Sequence, residues 1–165
     1  LNPTTKVTMA ENAYAEMALT QLGGVDEAKR TNAAEVGAGS VLLITERVMT
    51  DGTQVAESKN DVDLRGTDSK SNIVSRSVLK GDSRQDFYVN LAAHDRCYGH
   101  IECDAIIMDN GSNQTIPALR ALHPDASLTH EASIGKIAND QLMKLMSLGL
   151  DYDAAVNRII QGFLK

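Results

Sequence analysis

Residues 126–150 read ASLTHEASIGKIANDQLMKLMSLGL, and the hydrophobic period changes within them. Up to Ser133 the side chains alternate, with Ala126, Leu128 and His130 on one face of an extended segment. Beyond Ile134 the period becomes 3.6. Leu142, Leu145 and Met146 line one stripe of a helix running from Asn139 or Asp140 to Leu148, and Gly149 supplies a left-handed stop. Asn139 is placed to cap that helix, a contact worth about 1 kcal/mol. Asp151 caps a second helix, along which Val156, Ile159, Ile160, Phe163 and Leu164 keep amphipathic spacing. Two short helices with such full apolar faces do not stand alone in water. They pack on a sheet, on each other or on a partner.

Upstream, the chain is a series of short apolar runs cut by turn residues. The runs are Ala15–Leu22, Ser40–Met49, Val55–Leu64, Asn72–Leu79, Asp86–Leu91, His100–Met108, Thr115–Leu122 and Ala126–Ala132. Glycine pairs, Asp51-Gly52, Asn110-Gly111 and Pro124 punctuate them. From His100 the alternation is clear: Ile101, Cys103, Ala105 and Ile107 share one face, and His100, Glu102, Asp104 and Ile106 the other. Many short strands at regular spacing predict a sandwich, a barrel or a stacked solenoid. No strict sequence repeat is visible. With no Trp, two Phe and four Tyr, the core is built from small aliphatic residues, which favours a narrow stacked interior.

Composition excludes several classes. A net charge of −6 without any basic run argues against nucleic acid. The longest apolar stretches are four or five residues, far below the roughly 20 that span a bilayer, and none of them reads as a signal peptide. Two cysteines make no disulfide framework, so a reducing cytoplasm is expected. The chain begins at Leu1 with strand-like residues almost at once and reads as a piece of something longer. Phosphate-binding glycine loops are absent, and Gly37-Ala38-Gly39-Ser40 precedes a strand, as a turn does. Any nucleotide is expected on another polypeptide.

Cys103 reads either as a small buried apolar residue or as a ligand for metal, sulfide or persulfide. Its neighbours Glu102 and Asp104 raise a thiol's pKa, so it is not a self-activated nucleophile. Cys97, six positions earlier, fits no zinc or ferredoxin spacing. His130 in a strand is either a hydrogen-bonded structural residue or a ligand beside Glu131. With two Cys plus His94, His100, His123 and His130, one chain has too few soft donors for a closed site, and a metal site needs two chains.

Three segments carry a family resemblance: Asp68–Arg76 with Lys80-Gly81-Asp82-Ser83-Arg84, then Glu102–Ile107, then His130-Glu131-Ala132 with the two helices. Their order and spacing from Asp61 to Lys165 resemble the SufB/SufD family of iron–sulfur cluster assembly scaffolds. The resemblance implies a right-handed parallel β-helix core over residues 1–133 and a C-terminal helical subdomain over 134–165. It implies that nascent clusters form where two β-helix subunits meet, with Cys103, His130 and Glu131 as sulfur, cluster and metal ligands shared across a homodimer. It also implies docking of the SufC-type ABC ATPase on the helices through Val156, Ile159, Ile160 and Phe163. Gln21 and Lys29 correspond to polar residues lining the family's sulfur path. The first rungs and the upstream sulfur-receiving cysteine of SufB have no counterpart here.

The leading expectation is therefore a non-catalytic scaffold that accepts sulfur and iron at a dimer interface. The alternative is a structural β-solenoid adaptor that only docks the ATPase. A carbohydrate-active β-helix needs paired carboxylates and aromatic platforms, and only six aromatics occur, none beside acidic pairs.

Overall fold

Strands of nearly equal length joined by tight turns can wind so that each lies over the one two places earlier. The computed structural model, which describes Leu1–Lys165, shows this arrangement. The strands are β1 (Thr4–Met9), β2 (Tyr14–Leu22), β3 (Glu27–Val36), β4 (Val41–Thr50), β5 (Val55–Leu64), β6 (Lys70–Leu79), β7 (Arg84–Ala93), β8 (Tyr98–Ile107), β9 (Ser112–Ala121) and β10 (Ser127–Gly135). Two helices follow, α1 (Asn139–Ser147) and α2 (Tyr152–Phe163). The odd strands form one five-stranded sheet in the order β1-β3-β5-β7-β9, and the even strands another in the order β10-β8-β6-β4-β2. All pairings are parallel, so the core is a β-solenoid in which each turn adds one strand to each sheet.

The sequence hides a structural period. Thr4 pairs with Thr31, Glu27 with Val55, Val55 with Arg84 and Arg84 with Ser112, so the repeat is 27 to 29 residues. Side chains stack by chemistry rather than identity, which is why no repeat shows in the letters. Glu27–Val36 is not among the apolar runs of the sequence, yet it is β3. Its inward residues are Ala28, Arg30, Asn32, Ala34 and Val36, too small and polar to look like a core strand. Its outward polar face meets water.

Inside, Val36, Leu42, Ile44, Leu64, Ile73, Leu91 and Ile101 are fully buried between the sheets. One corner stacks Ser40, Ser69 and Cys97 in successive turns. The Ser69 hydroxyl donates to Cys97 Sγ at 3.3 Å, and that thiol donates to the Gly66 carbonyl at 3.4 Å. Cys97, with no exposed surface, is thus a corner residue standing where the two preceding turns place serine. Gly66 beside it is required by close approach, because a Cβ there would lie 2.3 Å from the Ala38 nitrogen.

The helices lie on the outer face of the even sheet. Leu142, Ala155, Val156 and Ile160 pack on Val78 with Met49, Ile106 and Met108 around them, and Ile159 and Phe163 close the same cluster. Arg76 Nη1 donates to the Phe163 carbonyl at 3.3 Å and Arg47 Nη2 to the Lys165 carbonyl at 2.7 Å, satisfying acceptors at the end of α2. Asp151 Oδ1 accepts from the Ala154 amide at 2.7 Å, as its position predicts. Asn139 does not cap α1. The capping position is Ala138, which has no side-chain acceptor, and Asn139 is already in the first turn. No helix is long and apolar enough to cross a membrane.

Candidate functional site

The last even strand pairs with β8 so that His130 lies beside Ile101, Glu131 beside Glu102 and Ala132 beside Cys103. Because side chains alternate, this register sorts the expected ligands onto two faces. Cys103 and His130 project into the solenoid. Their Cα atoms, one strand and two residues apart, are separated by roughly 8 Å. Glu131 projects outward. The three residues expected to form one shell do not converge within one chain.

Cys103 is 3% exposed. Burial, followed by the negative charges of Asp104, Glu46 and Glu102, pushes its thiol up to about 12. It is therefore protonated at neutral pH, in keeping with the sequence reading. His130 lies half-buried at the mouth of the last turn, and its Nε2 is buried without a hydrogen-bond partner. Beyond β9 and β10 there is no further strand, so both offer free edges and an uncovered interior rung.

Below Cys103 the inward ladder continues through Ser75 to Glu46. Glu46, 1% exposed, is held by Arg30 Nη1 at 2.6 Å and by the Ser58 hydroxyl at 2.6 Å. Arg30 Nη2 reaches Gln21 Oε1 at 3.5 Å. These residues, with Ser77 and Gln85, line an internal cavity of about 20 Å³, room for about one water. Gln21 thus points toward the polar interior. Lys29 does not: its side chain is 53% exposed and pairs with Glu27 at 3.4 Å. Adjacent residues on a strand face opposite ways, and Arg30 takes the inward place. Counting back in twos from Val36 reveals this, because positions 36, 34, 32 and 30 share a face.

On the outer face, His100 Nε2 lies 3.1 Å from Glu131 Oε1, and His100 Nδ1 hydrogen-bonds Thr129 Oγ1 at 2.8 Å. Burial raises the Glu102 carboxyl, and its contact with Asp104 raises it further. The alternation puts His100, Glu102 and Asp104 together opposite Cys103, but the sequence reading proposes no site among them.

The helix residues expected to bind a partner are mostly spoken for. Val156 and Ile160 are buried against the sheet, and Ile159 and Phe163 pack beside them. The exposed apolar residues of this subdomain are instead Met143, Met146, Leu148, Leu150 and Tyr152, with Leu148 at 76%. The 3.6 period marks a core-facing stripe, and it cannot separate that stripe from a docking face.

Comparison with known proteins agrees with this architecture. Residues 2–163 match the family model described as SUF system FeS cluster assembly, SufBD core domain. An iron–sulfur cluster assembly SufBD family protein of Pyrococcus horikoshii is 38% identical over 140 residues, covering 84% of this chain and 43% of the relative. A family member from Staphylococcus saprophyticus is 30% identical over 170 residues, covering 99% of this chain and 36% of its own length. One from Archaeoglobus fulgidus is 35% identical over 112 residues, 67% of this chain and 30% of that protein. The chain spans less than half the length of these relatives. With a family model covering nearly every residue and the solenoid that the resemblance implied, this chain belongs to the SufBD family of the SUF iron–sulfur cluster assembly system.

Proposed function

We propose that the chain is a scaffold component of cluster assembly, accepting sulfur at Cys103 and iron at the same rung. The observation that carries this reading is the pairing of a buried thiol with an imidazole on the same inner face. That imidazole has an orphaned Nε2, and the rung is left uncovered. A donor persulfide would transfer its outer sulfur to Cys103, leaving the donor as a thiol and Cys103 as a persulfide, with the Cys103 proton passing to the departing sulfur. His130, on the same inward face, would take part in that proton transfer. The polar ladder of Ser75, Glu46, Arg30 and Gln21 supports access of a sulfur species from inside. Iron would enter as substrate, forming a transient cluster.

A second copy, or a related family partner, would pair along the free edges of β9 and β10 and bring Cys103, His130 and Glu131 of two chains together. The SufC-type ATPase would dock on the helical subdomain, through Met143, Met146, Leu148 and Tyr152 rather than through the packed face of α2. Met143→Asp should then weaken ATPase pull-down without changing the melting temperature. Ile160→Asp should lower the melting temperature; the reverse pattern refutes this surface.

Anaerobic reconstitution with ferrous iron and sulfide tests the scaffold reading. Wild type should develop charge-transfer absorbance that Cys103→Ala loses. Equal absorbance and iron content in both would leave only the adaptor role, in which the solenoid docks the ATPase and holds no cluster.

A further inference from the structure

The outer face of β8 and β10 carries a second set of ligating groups, of which Glu131 alone is also expected at the thiol site. His100 and Glu102 are two residues apart on β8 and project to the same side, while Glu131 stands beside Glu102 in register on β10. One donor atom from each residue, an imidazole nitrogen and two carboxylate oxygens, lies within 4.8 Å of the other two. A tetrahedral shell with bonds of about 2.1 Å places its donors roughly 3.4 Å apart. His100 Nε2 and Glu131 Oε1, at 3.1 Å, are already near that spacing, and a turn of the Glu102 side chain closes the third side.

Two features set this group apart from an ordinary surface ion pair. The first is orientation: Thr129 Oγ1 holds His100 Nδ1 at 2.8 Å. With Nδ1 carrying the hydrogen, the Nε2 lone pair points at the carboxylates, which is how metal-binding imidazoles are usually fixed. The second is charge. Glu102 is half-buried and meets no N–H or O–H donor; its neighbours are the carboxylates of Asp104 and Glu131. Arg76, beside Asp104 in register, is the guanidinium within reach, and its Nη1 already donates to the Phe163 carbonyl. Three carboxyl groups and the His100 imidazole thus share one face with a single guanidinium beside them. A cleft of about 260 Å³ lined by Glu102, Asp104, Glu131, Ala132 and Ser133 opens this spot to solvent.

We propose that His100, Glu102 and Glu131 form a binding site for one divalent first-row transition metal on the face of the even sheet opposite Cys103. One imidazole and two carboxylates suit Fe(II), Mn(II), Co(II) or Zn(II), and three protein ligands leave a coordination position free for exchange. The site stands on its own geometry. Its use as the place where ferrous iron waits, one strand's thickness from the buried thiol, rests on the scaffold reading. Iron and sulfur would then reach the last rung from opposite faces of the same strand pair.

Cobalt(II) alone, titrated anaerobically into the chain and read by its visible d–d absorbance, tests the site. Saturable binding of one Co(II) per chain is expected. His100→Ala and Glu102→Gln should each weaken it at least tenfold, and Thr129→Val severalfold through the lost orientation. His94→Ala, which removes an imidazole paired with Asp63 elsewhere on the solenoid, should bind as wild type does. Circular dichroism melts of each variant separate loss of ligand from loss of fold, and Thr129→Val keeps the test informative if Glu102→Gln is unstable. No saturable binding overturns the site, as does binding unchanged in both His100→Ala and Glu102→Gln. A thiolate-to-cobalt band that vanishes in Cys103→Ser would assign the metal to the thiol instead. The two readings fail separately, since reconstitution depends on Cys103 and Co(II) binding on His100 and Glu102.

Discussion

The interior of the solenoid has two halves of opposite chemistry, divided along the strands. Where odd strands end and even strands begin, the rungs stack Val36, Leu42, Ile44, Leu64, Ile73, Leu91 and Ile101, all fully buried. Each such side chain contributes about 1.5–3 kcal/mol on leaving water. Toward the other corner the same two sheets enclose Arg30, Glu46, Ser58, Asn60, Ser75, Ser77 and Gln85, and a small cavity among them. Buried ion pairs and hydroxyls add little net stability, because desolvation offsets the attraction. One half holds the fold together. The other is tolerated by it, and its ladder of Glu46 and Ser75 leads to Cys103.

The largest effect should come from unbalancing the polar half. Glu46→Leu would leave Arg30, whose side chain is 12% exposed, with a buried and uncompensated charge, at a cost of about 3–5 kcal/mol in urea denaturation. The double variant Arg30→Met with Glu46→Leu should recover most of that loss. A single-variant cost under about 1 kcal/mol would mean that water reaches this half and that the two halves are not equally sealed. A comparable or lesser loss is expected on the apolar side: Ile73→Ala should cost about 2–5 kcal/mol, mostly from the cavity left behind. Ser75→Ala, two residues along the same inward face, should change stability by less than about 1 kcal/mol. Equal costs at the two positions would erase the distinction between the halves.

The same division explains what could be read from the letters. Strands β4 to β8 announce themselves because Leu42, Ile44, Ile73 and Ile101 recur with period two beside polar outward residues. β3 does not, since its inward positions belong mainly to the polar half and look like a loop. Strand spacing and small core residues left the solenoid as one of three candidates, and only the resemblance singled it out. Stacking requires that each residue match its neighbour above and below in size and polarity, and Glu46, Ser75 and Cys103 satisfy that without resembling one another. At the site, alternation alone separates Cys103 from His100, Glu102 and Asp104, and it separates His130 from Glu131. What the sequence could not give was the register of β10 on β8, which places Glu131 against Glu102 and Ala132 against Cys103. That register depends on turn lengths around a whole coil. The helices show the reverse difficulty: Leu142, Leu145 and the α2 stripe pack as the period predicts while Met146 is exposed, and whether Val156 and Ile160 face a sheet or a partner depends on Val78 and Ile106, far away in sequence.

The smallest effect on stability, and the sharpest test of where the halves meet, concerns the thiol of Cys103. Its pKa is pushed up to about 12 by burial and by Asp104, Glu46 and Glu102. In the unfolded chain a cysteine titrates near about 8.5. The folded state therefore holds the proton more tightly. The stability this provides is complete below about pH 8.5 and declines as pH rises from there toward 12. At pH 8 roughly one molecule in ten thousand would carry the thiolate. In a Cys97→Ser background, which leaves Cys103 as the lone thiol, iodoacetamide should label the folded protein thousands of times more slowly than the urea-unfolded chain. Labelling at the unfolded rate would show that the polar half opens readily to solvent at its last rung. Slow labelling in the single chain, accelerated once a second copy and ferrous iron are supplied, would show that deprotonation of this sulfur is a consequence of assembly rather than of the fold alone.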